Sequence, residues 1–97
     1  MALLTQQEID GFLRANPKWK LKDGELIREW TFNDFNLAIA FVNRVAAIAE
    51  AANHHPDIDI RWRTLRFTLS THSAGGLTQR DLDLADEIDR LAGSGHG

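Results

Sequence analysis

Apolar residues recur along this chain with two periods, near 3.6 and 2, and each change of period marks a new element. Thr5-Gln6-Gln7-Glu8 has the Thr-x-x-Glu spacing in which threonine caps a helix start and glutamate reaches back to it. Ile9, Phe12 and Leu13 then form one helical face, and Asn16-Pro17 ends it, because a residue before proline is pushed out of the helical region. Trp19 and Leu21 start an extended segment. Asp23-Gly24 is a hairpin turn signal leading into a strand from Glu25 to Phe32, with Trp30 and Phe32 on one face. Asn33-Asp34 opens a second helix, in which Phe35, Ala38, Phe41, Val42, Val45, Ile48, Ala49 and Ala52 recur at helical spacing. Arg44 is its only charge between Asp34 and Glu50, so the sheet or another subunit should cover most of it.

Strict alternation follows, first in Ile58, Ile60 and Trp62, then in Leu65, Phe67 and Leu69, which reads as two half-buried strands. A turn at Arg63-Thr64 would pair Trp62 with Leu65, Ile60 with Phe67 and Ile58 with Leu69. Extended, that register sets His55 opposite His72. It also sets Arg61 against Arg66, and Pro56 could interrupt the ladder before His55. Thr78-Gln79-Arg80-Asp81 repeats the capping spacing with aspartate. Leu82, Leu84, Ala85, Ile88, Leu91 and Ala92 then form a last helix, and Gly93 to Gly97 reads as a frayed tail in which His96 is inert. The order α-β-β-α-β-β-α predicts an α+β fold, a four-stranded antiparallel sheet with three helices packed on one face.

Composition narrows the function classes. Ninety-seven residues fit a single domain spanning 1–97, and 43% hydrophobic with 26% charged residues is ordinary for a globular protein. Cysteine is absent, which excludes disulfides and thiolate metal sites and suits a reducing compartment. The run Leu37 to Val42 is far short of a membrane span, and Met1-Ala2-Leu3-Leu4 lacks the basic and apolar regions of a signal peptide. The expectation is a soluble cytoplasmic protein that does not engage a membrane. A net charge of −3 gives no general attraction to nucleic acid.

Three of the four histidines, His54, His55 and His72, lie at two spots that the strand register would bring together. Histidine ordinarily titrates near pH 6.5, so such a cluster suits acid-base catalysis at neutral pH. Two other readings compete. Glu50 stands one helical turn before His54 and could share a weak metal site with it, although no His-x-x-x-His spacing or cysteine completes a zinc set. Alternatively, His54 and His55 merely finish the helix, where cations meet the terminal carbonyls favourably. On its spacing Asp81 is a cap. Trp19, Trp30 and Trp62 read first as core or interface, and secondly as a wall for a flat ligand. Arg61, Arg63 and Arg66 read as a solvated strand face.

The segments Ala49-Glu50, His54-His55-Pro56, Leu69-Ser70-Thr71-His72, Gly75-Gly76-Leu77-Thr78, Arg80-Asp81 and Leu84-Ala85, with Trp19, Phe32, Asp34-Phe35 and Phe41 upstream, together resemble the pterin-4a-carbinolamine dehydratases. The resemblance covers nearly the whole chain. It implies an enzyme that dehydrates 4a-hydroxytetrahydrobiopterin to quinonoid dihydrobiopterin, using neither metal nor cofactor. It implies a homodimer or homotetramer, with His54, His55 and His72 catalytic and Glu50, Trp19 and Asp81 lining the substrate site. His54 and His55 would act as acids or orienting donors, and His72 as base or pterin contact. Ile58 departs from the aromatic residue usual in animal members, and Arg63-Thr64 from their usual turn. Animal relatives also act as dimerisation cofactors of a homeodomain transcription factor, and some relatives resemble assembly chaperones of a carbon-fixing enzyme. The chaperones tend to lack the histidine set that this chain keeps.

Overall fold

The computed structural model describes residues 2–95, and His96 lies outside them. Helix α1 (Gln6–Ala15) begins with the predicted capping box: Thr5 Oγ1 accepts from the Glu8 amide at 3.1 Å, and Glu8 accepts from the Thr5 amide at 2.8 Å. It ends where Asn16 returns both its amide and its side-chain Nδ2 to the Phe12 carbonyl. Strands β1 (Lys20–Lys22) and β2 (Glu25–Thr31) join through Asp23 and Gly24, both at positive φ. That is the backbone a primed two-residue turn demands.

Asp34 caps α2 (Phe35–Ala52), accepting from the Leu37 amide at 2.8 Å. Strands β3 (Asp57–Arg61) and β4 (Thr64–Leu69) and helix α3 (Gln79–Gly95) complete the fold, and a 3-10 turn spans His72–Ala74. All strand pairs are antiparallel, in the order β1-β2-β4-β3. The fold is therefore α+β, with three helices and a four-stranded antiparallel sheet. Helix α3 continues past Gly93, where the tail was expected to begin.

The β3–β4 register differs from the expected one. Ile60 pairs with Leu65 and Ile58 with Phe67, so the turn is Trp62-Arg63 and not Arg63-Thr64. A shift of two residues keeps every apolar side chain on its face, so alternation alone cannot choose between the two registers. Charge can. The observed pairing sets Asp59 opposite Arg66 instead of Arg61 opposite Arg66, and Arg66 also reaches Glu29 on β2 at 2.8 Å. Trp62 consequently leaves the strand face and stands 70% exposed in the turn at φ 56°. The ladder stops at Asp57 and Thr68, so His55 and His72 are not cross-strand partners.

On β4, Leu65, Phe67 and Leu69 are buried beneath the helices, while Thr64, Arg66 and Thr68 alternate on the other face. Trp30, Phe41 and Phe67 form a mutually packed aromatic group with ring centroids 5.5 to 5.8 Å apart. Helix α2 presents Ala38, Phe41, Val45 and Ala49 to this core. Taken whole, α2 is long and apolar enough to cross a membrane, with a mean hydropathy of 1.4. One such helix is weak evidence for a span, because the core helix of a globular protein meets the same description. Phe35 and Leu37, 47% and 45% exposed, leave part of its apolar surface uncovered.

Candidate functional site

The site begins at the C-terminus of α2. Asn53 adopts the left-handed conformation, φ 51° and ψ 42°, and its amide returns to Ala49 and Glu50. The His54 amide also bonds the Ala49 carbonyl, at 3.1 Å. This closes the helix as a left-handed cap does, with asparagine in place of the commoner glycine. The Ala52 and Asn53 carbonyls, turned out at the helix end, accept from Arg80 Nη2 at 3.1 and 2.7 Å. A guanidinium from α3 thus fixes the loop carrying His54.

His54 then meets Asp81 across the gap between α2 and α3, Nε2 to Oδ1 at 2.6 Å. Asp81 is fully buried and His54 side-chain exposure is only 10%. The second aspartate oxygen, Oδ2, accepts from the Thr71 hydroxyl at 2.8 Å and from the Thr78 amide at 2.9 Å. The two threonine hydroxyls lie 2.9 Å apart. A buried carboxylate needs such donors, since an unpaired one would cost several kcal/mol. The cap predicted at Asp81 is present, and the same carboxylate also holds His54.

The other histidines lie differently. His55 Nε2 bonds Glu50 at 2.8 Å, in a pair with 55% and 82% side-chain exposure. Glu50 is thus the partner of His55, and the metal pairing weighed for Glu50 and His54 does not form. His72 is exposed in the 3-10 turn, next to Thr71 of the buried network. Its ring nitrogen lies within 4.8 Å of carboxylate oxygens of Glu25 and Asp57. His72 thus directly follows Thr71, which shares Asp81 with His54, and its ring lies near Asp57, two residues after His55 in sequence.

Trp19 is placed elsewhere. It is 1% exposed, lies against Phe12 and Trp30, and donates its indole N–H to Asp89 at 3.0 and 3.1 Å. Its rings are packed into the core of this chain. Asp89 also pairs with Arg28 at 2.7 Å, and Arg28 stacks over Trp30. Burial still outweighs these partners and holds the Asp89 carboxyl above its ordinary 3.8.

Thr71, Thr78 and Arg80 were not anticipated as site residues. The Thr78-x-x-Asp81 spacing is the one local signal that pointed toward them. Beside His54, an open cleft of about 400 Å³ runs between α2 and α3, walled by Ile48, Ala51, Ala52 and Leu84, with Arg80 at its polar side. His55 and His72 do not line it.

Residues 2–91 match the family described as Pterin 4 alpha carbinolamine dehydratase. A relative from Nocardia farcinica is 57% identical over 90 residues, covering 93% of this chain and 95% of its own. One from Acidobacterium capsulatum is 54% identical over 91 residues, covering 94% and 99%. Both carry the name "Putative pterin-4-alpha-carbinolamine dehydratase". Among solved structures, a transcriptional coactivator/pterin dehydratase from Brucella melitensis superposes with a TM-score of 0.89 at 32% identity, covering 94% of this chain and 99% of its own. A pterin dehydratase-like RuBisCO assembly factor of the alpha-carboxysome gives 0.64 at 26%, covering 78% and 88%. Sequence match and fold agree along almost the entire length, and the chain belongs to the pterin 4 alpha carbinolamine dehydratase family.

Proposed function

We propose that this protein dehydrates 4a-hydroxytetrahydrobiopterin to quinonoid dihydrobiopterin in tetrahydrobiopterin recycling, with His54, His55 and His72 as its working groups. The observation that carries the reading is the buried His54–Asp81 pair. A carboxylate whose second oxygen is already occupied by Thr71 and Thr78 accepts the N–H of His54 Nε2, which leaves a lone pair on Nδ1 of the neutral ring. Among the described residues Nδ1 has no hydrogen-bond partner.

Dehydration needs two proton movements. His54 Nδ1 takes the proton from N5 of the pterin, and the freed electron pair forms the N5–C4a double bond. The C4a–O bond breaks as His55, held by Glu50, delivers a proton to the departing hydroxyl, which leaves as water. His72 contacts the pterin, and proton exchange with solvent restores both histidines. This assigns His54 the base role that the sequence reading had favoured for His72.

The uncovered apolar surface of α2, including Phe35 and Leu37, supports a homodimer or homotetramer. A non-catalytic binding or assembly role is the second reading, since one similar structure is a pterin dehydratase-like RuBisCO assembly factor. The weaker superposition on that factor and the intact histidine set favour the enzyme. The test is the dehydration rate of chemically generated 4a-hydroxytetrahydropterin, with wild-type protein and with folded His54→Ala. Acceleration by wild type that largely disappears in the variant is expected. No acceleration by folded wild type would overturn the dehydratase reading in favour of binding.

A further inference from the structure

We infer that Arg80 is a positioning residue for His54, holding that histidine's backbone while Asp81 holds its ring. The inference rests on the reading of His54 as the base. The last carbonyls of α2 lack partners within the helix, and the left-handed turn at Asn53 leaves two of them toward α3. Arg80 Nη2 donates to both, to Ala52 at 3.1 Å and to Asn53 at 2.7 Å. The Asn53 carbonyl belongs to the peptide unit that enters His54, and the N–H of that same unit donates to the Ala49 carbonyl at 3.1 Å. A planar peptide bonded through both its oxygen and its hydrogen is held against rotation, which fixes where the His54 side chain starts.

Asp81 follows Arg80 in sequence, and its Oδ1 meets His54 Nε2 at 2.6 Å. Two neighbouring residues in the first turn of α3 thus secure the two ends of one side chain. Their own place is fixed, because Thr78 Oγ1 accepts from the Arg80 amide at 3.3 Å and Asp81 Oδ2 from the Thr78 amide at 2.9 Å. With its backbone and Nε2 both held, the His54 ring presents Nδ1 in a single direction. A cation anywhere near the C-terminus of α2 would stabilise the helix. Arg80 does something narrower, since one of its two bonds is made to the peptide of the histidine itself. Misplacing a reacting group by about 1 Å can cost on the order of 10²-fold in rate, so the clamp acts on turnover. Arg80 also borders the cleft beside His54, and a direct contact with substrate there would act on KM instead.

The test compares wild type with Arg80→Met, Arg80→Lys and Arg90→Gln, each checked for folding by circular dichroism. Arg80→Met keeps the unbranched stem and loses the donors. Its kcat for dehydration of 4a-hydroxytetrahydropterin should fall by about 10- to 100-fold, with KM changed by less than about twofold. Arg80→Lys retains a cationic donor and should recover part of that loss. Arg90→Gln, altered at an exposed pair with Glu87, should match wild type. Apart from turnover, the His54 Nε2 proton resonance should shift or broaden in Arg80→Met and stay unchanged in Arg90→Gln. An unchanged kcat in folded Arg80→Met, a loss confined to KM, or an unchanged His54 resonance would overturn the clamp. If Arg80→Met does not fold, Arg80→Gln carries the same comparison. No dehydration by wild type would overturn the base role instead, and the resonance would then decide the clamp by itself.

Discussion

Two histidine–carboxylate pairs stand at the end of α2, one residue apart in sequence, and they are built oppositely. In the His54–Asp81 pair the carboxylate is fully buried and saturated by Thr71 and Thr78. In the His55–Glu50 pair both side chains lie in water. The separations, 2.6 and 2.8 Å, barely distinguish them. Burial does, because an exposed ion pair contributes about 0 to 1 kcal/mol, whereas an acceptor removed from a buried network leaves its donors unsatisfied. Neighbouring histidines can thus be unequal by construction, one fixed in orientation and tautomer, the other free to adjust.

Asp81→Asn should break the contrast most severely. It removes the charge that holds His54 and rearranges the donors around Oδ2. Loss of dehydration by roughly 10²- to 10⁴-fold is expected, with a stability cost of about 1–3 kcal/mol in urea unfolding. Thr71→Val, which withdraws one donor from Asp81 at nearly constant volume, should cost about 1 kcal/mol and slow the reaction less.

Asp89 sharpens the comparison as a carboxylate of intermediate burial that pairs with Arg28 and Trp19 rather than with a histidine. Burial raises its pKa in the folded state, so its contribution to stability is fully present below the ordinary value of 3.8 and is lost as pH rises through the raised folded value. Asp89→Asn should remove that dependence. In unfolding measurements between pH 3 and 7, wild type minus variant should therefore fall with rising pH, opposite to the usual trend for a paired aspartate. Glu50→Gln should do least, changing stability by no more than about 0.5 kcal/mol. Its rate loss should be far smaller than that of Asp81→Asn.

How much of this was legible depended on whether the determining contacts were local. The capping box at Thr5 and Glu8, the cap at Asp34 and the Asp23-Gly24 turn are decided within four residues, and each stands where the sequence placed it. The second hairpin could not be read the same way. Its alternation fits two registers equally, and the choice rests on Arg66 being flanked by Asp59 and Glu29 from two other strands. At the candidate site the sequence points to His54, His55, His72 and Asp81 one by one, but not to the pairing of His54 with Asp81 or of His55 with Glu50. The His54–Asp81 contact joins positions 27 apart, on a helix end and a helix start. Trp19 reads first as core or interface, and its burial against Phe12 and Trp30 agrees; its place at the substrate site comes from the resemblance alone.

The central claim is that His54 and Asp81 act as one unit, and a double-mutant cycle on the dehydration rate tests it most directly. His54→Ala, Asp81→Asn and the double variant are compared with wild type, each checked for folding by circular dichroism. If the pair is a unit, the double variant will be no slower than His54→Ala alone, because Asp81 has no rate effect left once its histidine is gone. If the two single losses instead multiply in the double variant, Asp81 acts independently of His54 and the account of the dyad is wrong.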